Sequence, residues 1–521
     1  MPSSRCFFSL DLGLLLADSV AVDTVPEIEL QRRPVNQPKT YGELKRGGWT
    51  HHDVKDEMRR NLIAKLQRNE TLFPGIIGYD KTVVPQIVAA ILARHDFLLL
   101  GLRGQAKTRI IRQLTTLLDE WMPAIEGSPL MESPARPITK RSRELLEKHG
   151  DATPIEWIHR SRRYQEKLAT PDVSIADLIG DIDPIKAVSK KLDFSDEEVI
   201  HYGIIPRTNR GIFAINELPD LQARIQVGLL NILEEKDIQI RGFPIRLSLD
   251  VALVFTANPE DYTNRGNIIT PLKDRIDAQI LTHYPATTEE GIRITAQEAW
   301  TERGVEFHMP ALMHELVEQV AIEARNSDFV DKASGVSARM AISFLETLHS
   351  VAEMRTHRHG EKMAFARISD LFQSLTALTG KIELVYKGEQ EGVANVALHL
   401  IGKAVKEIFN RRYLSAPRKG RDKKLDFTAF KPVIDWFESG NILDIDTNMS
   451  HRDYSAVLHG VEGLEEVAKS LAKPATENEK LLMMEFVIEG LHQNFLLTKR
   501  IEDARIRYTD AVSYMMNEIS E

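Results

Sequence analysis

Three apolar runs stand out in the pattern of hydrophobic and polar positions along this chain. They lie within residues 95–100, 212–215 and 249–257 and consist mostly of apolar side chains. The first is followed by a glycine, and the other two are each followed by an asparagine. A strand with one face in water alternates between apolar and polar residues, whereas continuous runs are typical of strands buried on both faces of a parallel sheet. Helical patterns separate the runs. The chain is therefore predicted to have an α/β fold, with helices on both faces of a parallel sheet.

The first run leads into a loop, residues 101–106, and then into a helical pattern that begins near Lys107. The segment fits the phosphate-binding pattern G-x-x-x-x-G-K-[ST], except that Ala106 stands where the last glycine is expected. In such a loop, backbone N–H groups face a phosphate, the lysine reaches the terminal phosphates and the hydroxyl, here that of Thr108, binds the metal. The predicted nucleotide-binding residues of this segment are Gly101, Gly104, Gln105, Ala106, Lys107 and Thr108.

The alanine limits how this loop can be built. A methyl group at Ala106 is compatible with the loop only if the φ angle of that residue stays negative. The alternative interpretation of the segment is an ordinary tight turn between a strand and a helix.

Polar residues that suit nucleotide hydrolysis follow the second and third runs. Asn216 and Glu217 stand where nucleotide hydrolases normally carry an Asp-Glu pair, whose first member supports Mg²⁺ and whose glutamate polarises the attacking water. Asn258 follows the third run, where an asparagine hydrogen-bonds the γ-phosphate and that water. Because open α/β sheets bind ligands at the carboxyl ends of their strands, we predict catalytic roles for Glu217 and Asn258, and Mg²⁺ binding by Asn216 with Thr108. The alternative interpretation of residues 216–217 is structural: a buried strand that ends in an asparagine turn.

Two further stretches complete the predicted site. Ile77 and Tyr79 lie in a glycine-containing turn that precedes a helix and the first apolar run, an order that would place them beside a bound base. Arg275, in a helix-end Asp-Arg pair, is suited to stabilising phosphoryl-transfer charge in a neighbouring subunit. The alternatives are an ordinary surface turn and an ordinary surface ion pair.

Composition narrows the class of protein. The chain has 521 residues, 43% hydrophobic and 27% charged, and its net charge of −9 provides no overall basic field for nucleic acid. The basic cluster 159–164 is interpreted as a solvated face. Cys6 is the only cysteine, which excludes intrachain disulfides and CxxC zinc sites. Residues 5–17 resemble a signal peptide, but Asp11 interrupts the run, and no run approaches the roughly 20 residues of a membrane span. We expect a cytoplasmic protein.

From about residue 74 to 346, the sequence resembles the AAA+ ATPases, specifically the branch that contains the magnesium-chelatase ATPase subunit and the MoxR-type ATPases. Segments 177–184 and 201–211 look like the helix-2 insertion of this branch, and 237–247 looks like its pre-sensor-1 hairpin. Segment 335–339 resembles the start of the sensor-2 helix in the lid. The resemblance implies Lys107 and Thr108 as Walker A residues, Asn216 and Glu217 as the Walker B pair, Asn258 as sensor 1, Arg275 as the arginine finger and Arg339 as the sensor-2 arginine.

The resemblance also implies a domain organisation, in which a three-layer P-loop core is followed by a helical lid and an additional all-helical C-terminal domain. Helices are predicted over 478–497 and 500–519 in the last domain. The expected domains are an N-terminal extension with a linker and helix (1–70), the core (71–300) with inserted segments 126–172 and 177–210, the lid (301–413) and the C-terminal domain (414–521).

The function implied is an ATP- and Mg²⁺-dependent ATPase, with slow basal turnover because of Ala106 and Asn216. It would form a homo-oligomeric ring, expected to be a hexamer, and remodel or activate a protein partner. The D-x-S-x-S motif of integrin-like metal-binding domains does not occur in this sequence, so any such domain would come from the partner. Nucleic acid is not the expected partner. The alternatives are the magnesium-chelatase ATPase subunit itself, a nucleotide-gated scaffold with little hydrolysis, and a DNA-bound regulator.

Overall fold

The structure is a computed structural model, and its described residues form two compact units that divide between Tyr284 and Pro285. Within the described part of the chain, no helix is both long and apolar enough to cross a membrane. The described residues are 37–183, 185–186, 189, 197–235, 237–239, 246–259, 266–414, 425–472, 474, 476–502 and 504–511.

The first unit contains eleven strands and nine helices among its described residues. The strands are β1 (Phe97–Leu100), β2 (Trp121–Ile125), β3 (Ile155–His159), β4 (Tyr164–Leu168), β5 (Gly180–Ile182), β6 (Ile200–Tyr202), β7 (Gly211–Asn216), β8 (Asp237–Gln239), β9 (Arg246–Ser248), β10 (Val251–Ala257) and β11 (Ala278–Leu281). The helices are α1 (Tyr41–Arg46), α2 (Val54–Gln67), α3 (Val83–Leu92), α4 (Lys107–Gln113), α5 (Lys140–His149), α6 (Ile175–Leu178), α7 (Ile204–Arg207), α8 (Ala223–Glu234) and α9 (Thr270–Arg275).

A five-stranded parallel sheet organises this unit, in the order β11-β1-β10-β7-β4. The three apolar runs of the sequence are its three central strands, with Leu100 opposite Ala257 and Phe255 opposite Ile215. The carboxyl ends of these strands therefore meet at one edge of the sheet.

Helices cover both faces of the sheet, because successive side chains of each strand point to opposite sides. Leu98 belongs to a buried cluster with Leu229 of α8, whereas Leu99 belongs to a separate cluster with Ile110 of α4. The predicted α/β core with helices on both faces of a parallel sheet is confirmed.

One strand of the sheet comes from segment 126–172, which we interpreted as an inserted segment. Strand β4 pairs in parallel with β7, and its last residue, Leu168, lies opposite Asn216. A strand at the edge of a sheet is paired on one side only, so polar side chains such as Gln165 remain exposed. Because β4 lacks an apolar run, periodicity did not predict it.

The basic cluster 159–164 does not form the solvated face that we expected throughout, because Arg163 is fully buried. Its Nη1 and Nη2 donate to the two carboxylate oxygens of Glu57, at 2.7 and 2.6 Å, and its Nε donates to the carbonyl oxygen of Arg210 at 2.8 Å. A buried charge requires such matched partners. Glu57 lies on α2, so this pair attaches that helix to the base of β7, and the local sequence could not predict it.

Small antiparallel pairs occupy the two segments that resemble family insertions. β5 pairs with β6 within 177–210, and β8 pairs with β9 within the predicted hairpin 237–247. Parts of several predictions lie outside the described residues, namely the N-terminal segment 1–36, the hairpin residues 240–245, the start of the expected C-terminal domain at 415–424 and residues 512–519 of the last predicted helix.

The second unit is mainly helical in its described part. Its helices are α10 (Thr288–Glu298), α11 (Ala311–Asn326), α12 (Ala338–His359), α13 (Ile368–Gln373), α14 (Thr376–Thr379), α15 (Tyr386–Glu391), α16 (Val393–Tyr413), α17 (Lys431–Glu438), α18 (His451–His459), α19 (Leu464–Leu471) and α20 (Glu477–Gln493). Its strands are β12 (Glu306–His308), β13 (Met363–Phe365), β14 (Leu443–Asp446), β15 (Leu497–Glu502) and β16 (Arg505–Asp510).

The C-terminal region contains a sheet as well as helices, in the order β14-β16-β15. The helix predicted over 500–519 is wrong for 500–502 and 505–510, which belong to β15 and β16. Ile506 and Tyr508 alternate with exposed arginines, and their burial on one face of the sheet decides the conformation. Lys499 contributes a buried ion pair, because its Nζ lies 2.8 Å from an oxygen of Glu489 on α20. This pair joins the sheet to the helix by a contact that no local pattern predicts.

Candidate active site

The loop after β1 is closed against two neighbouring strands. The backbone N–H of Gly101 donates to the carbonyl oxygen of Ala257 at 3.1 Å. A Cβ atom at Gly101 would lie 2.0 Å from Oγ1 of Thr282 and 2.2 Å from Oε1 of Gln105. The hydroxyl of Thr282 donates to that same Gln105 oxygen at 2.6 Å, and Gln105 is buried. Only glycine fits at position 101, because these two side chains pack directly against its backbone.

Ala106 adopts a backbone conformation that glycine would adopt more easily. Its φ is +55° and its ψ is 13°, in the left-handed region, and Gly104 two residues earlier has a φ of +73°. Our expectation that alanine requires a negative φ here is therefore wrong. The side chain of Ala106 is exposed, so the cost is intrinsic to the backbone, roughly 1–2 kcal/mol for a left-handed residue with a Cβ.

Lys107 joins the loop to the end of the third apolar run. Its Nζ donates to the carbonyl oxygen of Leu102 at 2.9 Å and to Oδ1 of Asn258 at 2.8 Å, and it also contacts the carbonyl oxygen of Gly101. An ammonium group has three donors, so these three oxygens fix its position. The structure thus brings together the lysine and the asparagine that the sequence selected. Thr108 follows in the first turn of α4, with an exposed side chain.

The Asn216–Glu217 pair is held by a residue that the sequence analysis missed. The hydroxyl of Thr256, on the neighbouring strand β10, accepts a hydrogen bond from the backbone N–H of Glu217 at 3.0 Å. It donates to Oδ1 of Asn216 at 3.3 Å. Glu217 itself is left-handed, with a φ of +57°. A threonine inside an otherwise apolar strand was the available signal, because a buried hydroxyl needs a partner.

Tyr79 packs beneath the loop instead of forming an ordinary surface turn. Its side chain is buried, and its hydroxyl lies 2.7 Å from the carbonyl oxygen of His283 and 3.1 Å from that of Gln105. Burial raises the pKa of Tyr79 to about 12, so the phenol keeps its proton near neutral pH and acts as a donor. Ile77, two residues earlier, is half-buried. Tyr79 therefore fixes the backbone of the loop, whatever further contact it makes.

The two predicted arginines belong to helices. Arg275 ends α9, and its guanidinium contacts Glu234 through Nε and Nη2 at 2.7 and 2.5 Å and the carbonyl oxygen of Pro271 at 3.0 Å. Arg339 is exposed at the start of α12, in the second unit. The contacts of Arg275 hold its half-buried side chain against its own chain.

The oxygen atoms at the sheet edge fit a lightly ligated Mg²⁺ ion. Among the described residues, no group of three or more His, Cys, Asp or Glu side chains is placed to hold a metal. The site offers instead the hydroxyl of Thr108, the amide oxygen of Asn216 and the carboxylate of Glu217. Mg²⁺ in nucleotide sites keeps several waters and takes few protein oxygens, so this donor set is suitable.

Comparisons with known proteins give weak similarities. No protein-family model matches the chain, and no curated protein matches it. A model of the complex between subunits BchI and BchD of magnesium chelatase is similar at 19% identity, covering 61% of this chain and 98% of that one, with a TM-score of 0.31. A putative ATPase from Cytophaga hutchinsonii is similar at 14% identity, covering 68% of this chain and 98% of that one, with a TM-score of 0.28.

A third similar structure is the Thermotoga maritima RuvB Holliday junction branch migration motor, at 13% identity, with 89% of this chain and 93% of that chain covered and a TM-score of 0.31. Similarities at this level assign neither a family nor a function to the chain. The fold assignment rests on the strand order and register of the sheet.

The strain at Ala106 predicts that Ala106→Gly stabilises the protein. We expect a gain of about 0.5–1 kcal/mol, because release of the left-handed strain exceeds the extra chain entropy of glycine. Ala93 is the matched control, since it is also exposed but has a φ of −82°, so Ala93→Gly should destabilise. Denaturant unfolding of the three proteins measures both effects. A loss of stability in Ala106→Gly would contradict the strained conformation.

Proposed function

We propose that this chain is a Mg²⁺-dependent ATP hydrolase that works in a ring and remodels or activates a protein partner, in the manner of the magnesium-chelatase and MoxR-type branch of the AAA+ ATPases. One observation carries the proposal. Lys107, Asn258 and the Asn216–Glu217 pair follow three adjacent parallel strands, and hydrogen bonds join them in two sets, Lys107 with Asn258 and Thr256 with 216–217. We propose the cytoplasm as its location.

The proposed roles follow from the chemistry of each side chain. The ammonium of Lys107 binds terminal phosphate oxygens, and the hydroxyl of Thr108 and the amide oxygen of Asn216 hold Mg²⁺ directly or through its waters. When bound, Mg²⁺ neutralises the charge that develops on the phosphates. Glu217 accepts hydrogen bonds from the attacking water and orients it. Asn258, which accepts a hydrogen bond from Lys107, would bind the γ-phosphate and the same water.

Asn216 makes slow basal turnover the expected behaviour. An amide in place of a carboxylate removes a negative charge near the metal but keeps an oxygen that accepts hydrogen bonds. ATP binding is therefore retained, whereas hydrolysis is slow until the ring engages its partner. A nucleotide-gated scaffold is the second candidate, and the same amide favours it. Turnover per bound ATP separates the two, because a scaffold would bind ATP without hydrolysing it.

Lys107→Ala tests the phosphate loop. We expect ATP affinity to fall by about tenfold to 100-fold, because a hydrogen bond between charged groups contributes roughly 1.5–3 kcal/mol. Lys140→Ala is the control, since Lys140 is an exposed lysine of the same unit that pairs with Glu144. Isothermal titration calorimetry with Mg-ATP compares the three proteins. Equal ATP affinity in wild type and Lys107→Ala would show that residues 101–108 do not bind the phosphates.

Arg275→Ala tests the ring. We expect ATP binding within about twofold of wild type and turnover lower by about 10³, the effect of removing an arginine that acts on a neighbouring subunit. Glu234→Gln breaks the intrachain ion pair but keeps the arginine, so it should retain turnover. Mixing Arg275→Ala with Glu217→Gln subunits should restore part of the activity, because each supplies what the other lacks. No recovery in mixtures that co-assemble would contradict action between subunits.

A further inference from the structure

The central strand β10 contains one hydroxyl among apolar side chains. Thr256 lies between Phe255 and Ala257, all three are buried, and its strand pairs with β1 on one side and β7 on the other. It is opposite Leu99 of β1 in the register. A valine of nearly the same shape would suit this apolar position, so the hydroxyl needs an explanation.

The hydroxyl uses both of its hydrogen-bonding capacities on the candidate active site. It accepts from the N–H of Glu217 at 3.0 Å and donates to Oδ1 of Asn216 at 3.3 Å. The first bond satisfies an N–H that lies beyond the end of β7, where the chain leaves the ladder in a left-handed turn at Glu217. The second bond selects the orientation of the Asn216 amide.

We propose that Thr256 is the positioning residue of this site, which holds the carboxylate of Glu217 and the amide of Asn216 in their working orientations. The inference rests on the proposed ATP hydrolase function. Without the hydroxyl, the Glu217 N–H would lose this partner, and the left-handed turn, which is unfavourable for a residue with a Cβ atom, would relax. The carboxylate would then move away from the position in which it orients water.

Thr256 also explains how an amide replaces the usual carboxylate at position 216. An amide presents an acceptor on one side and donors on the other, so its orientation matters, whereas a carboxylate accepts on both oxygens. Because Thr256 donates to Oδ1, that oxygen faces β10 and keeps a second lone pair for another donor. If the amide were reversed, its N–H groups would occupy the position of Oδ1. N–H donors at that position would be unfavourable beside a cation.

The test compares Thr256→Val with Thr256→Ser. The valine keeps the volume and removes both hydrogen bonds, and kcat should fall by about 30- to 100-fold with KM within about twofold, as for a small displacement of a catalytic group. The serine restores the hydroxyl and should bring kcat back to within about threefold of wild type. Unchanged kcat in the valine variant, or no recovery in the serine variant, would overturn the positioning role.

Thr208→Val controls for the loss of a buried hydrogen bond in general. Thr208 is fully buried ahead of β7, at the opposite end from Glu217, and its hydroxyl donates to the carbonyl oxygen of Ile204 at 2.7 Å. The Thr208→Val variant should have a lower free energy of unfolding than wild type, as Thr256→Val should, but it should keep the wild-type kcat. An equal loss of kcat in Thr208→Val would show that the effect of Thr256→Val is structural.

Amide hydrogen exchange provides a readout that does not depend on hydrolysis. In the wild-type protein, the Glu217 amide should be protected, and in Thr256→Val it should exchange at least about tenfold faster relative to the Ile215 amide inside β7. If the valine variant does not fold, the wild-type measurement still tests the hydrogen bond from the Glu217 N–H to Thr256. An unprotected Glu217 amide in the wild-type protein would contradict that bond. Equal turnover in wild type and Glu217→Gln would refute the proposed function and the positioning role with it. Turnover that depends on Glu217 but not on Thr256 would refute only the positioning role.

Discussion

The candidate site exists because β1, β10 and β7 pair in parallel as neighbours, so that the residues after each strand emerge at the same edge of the sheet. The pairing of Leu100 with Ala257 fixes the position of the phosphate loop relative to Asn258. The pairing of Phe255 with Ile215 fixes the position of the Asn216–Glu217 pair in the same way. A slip of one residue would turn every buried side chain of a strand to the other face. The burial of both faces therefore fixes the register, and the register fixes the geometry of the site.

That rigid edge supports two residues in conformations that they would not adopt alone. Ala106 and Glu217 are both left-handed without being glycine. Ala106 directly precedes Lys107, which contacts Asn258, and Glu217 directly follows β7. Each costs free energy that the packing of the sheet supplies. Glu217 has a visible compensation in the hydroxyl of Thr256, whereas the structure shows no comparable side-chain bond at Ala106 among the contacts that it describes.

The sequence predicted the parts of this arrangement that local pattern determines. Strands buried on both faces appear as apolar runs, and the loop at Lys107 has a spacing that few other structures require. The edge strand β4, the Glu57–Arg163 pair and the β15–β16 hairpin depend on contacts between residues far apart, so local pattern could not reveal them. Thr256 lies between the two groups: its hydroxyl is visible in the sequence as a break in an apolar run, but its partner appears only when the fold places that hydroxyl beside position 217.

The central claim is that the edge formed by Asn216 and its neighbours is a Mg-ATP site, and a titration of steady-state ATP turnover against Mg²⁺ tests it most directly. In Asn216→Asp, Thr256 still finds an acceptor, so the fold should be retained, while the added carboxylate binds the metal or its waters more strongly. We predict that the half-saturating Mg²⁺ concentration falls by about tenfold, the lower end of the effect of groups that orient metal ligands. An unchanged Mg²⁺ requirement in the aspartate variant would contradict it, because position 216 would then lie away from the metal.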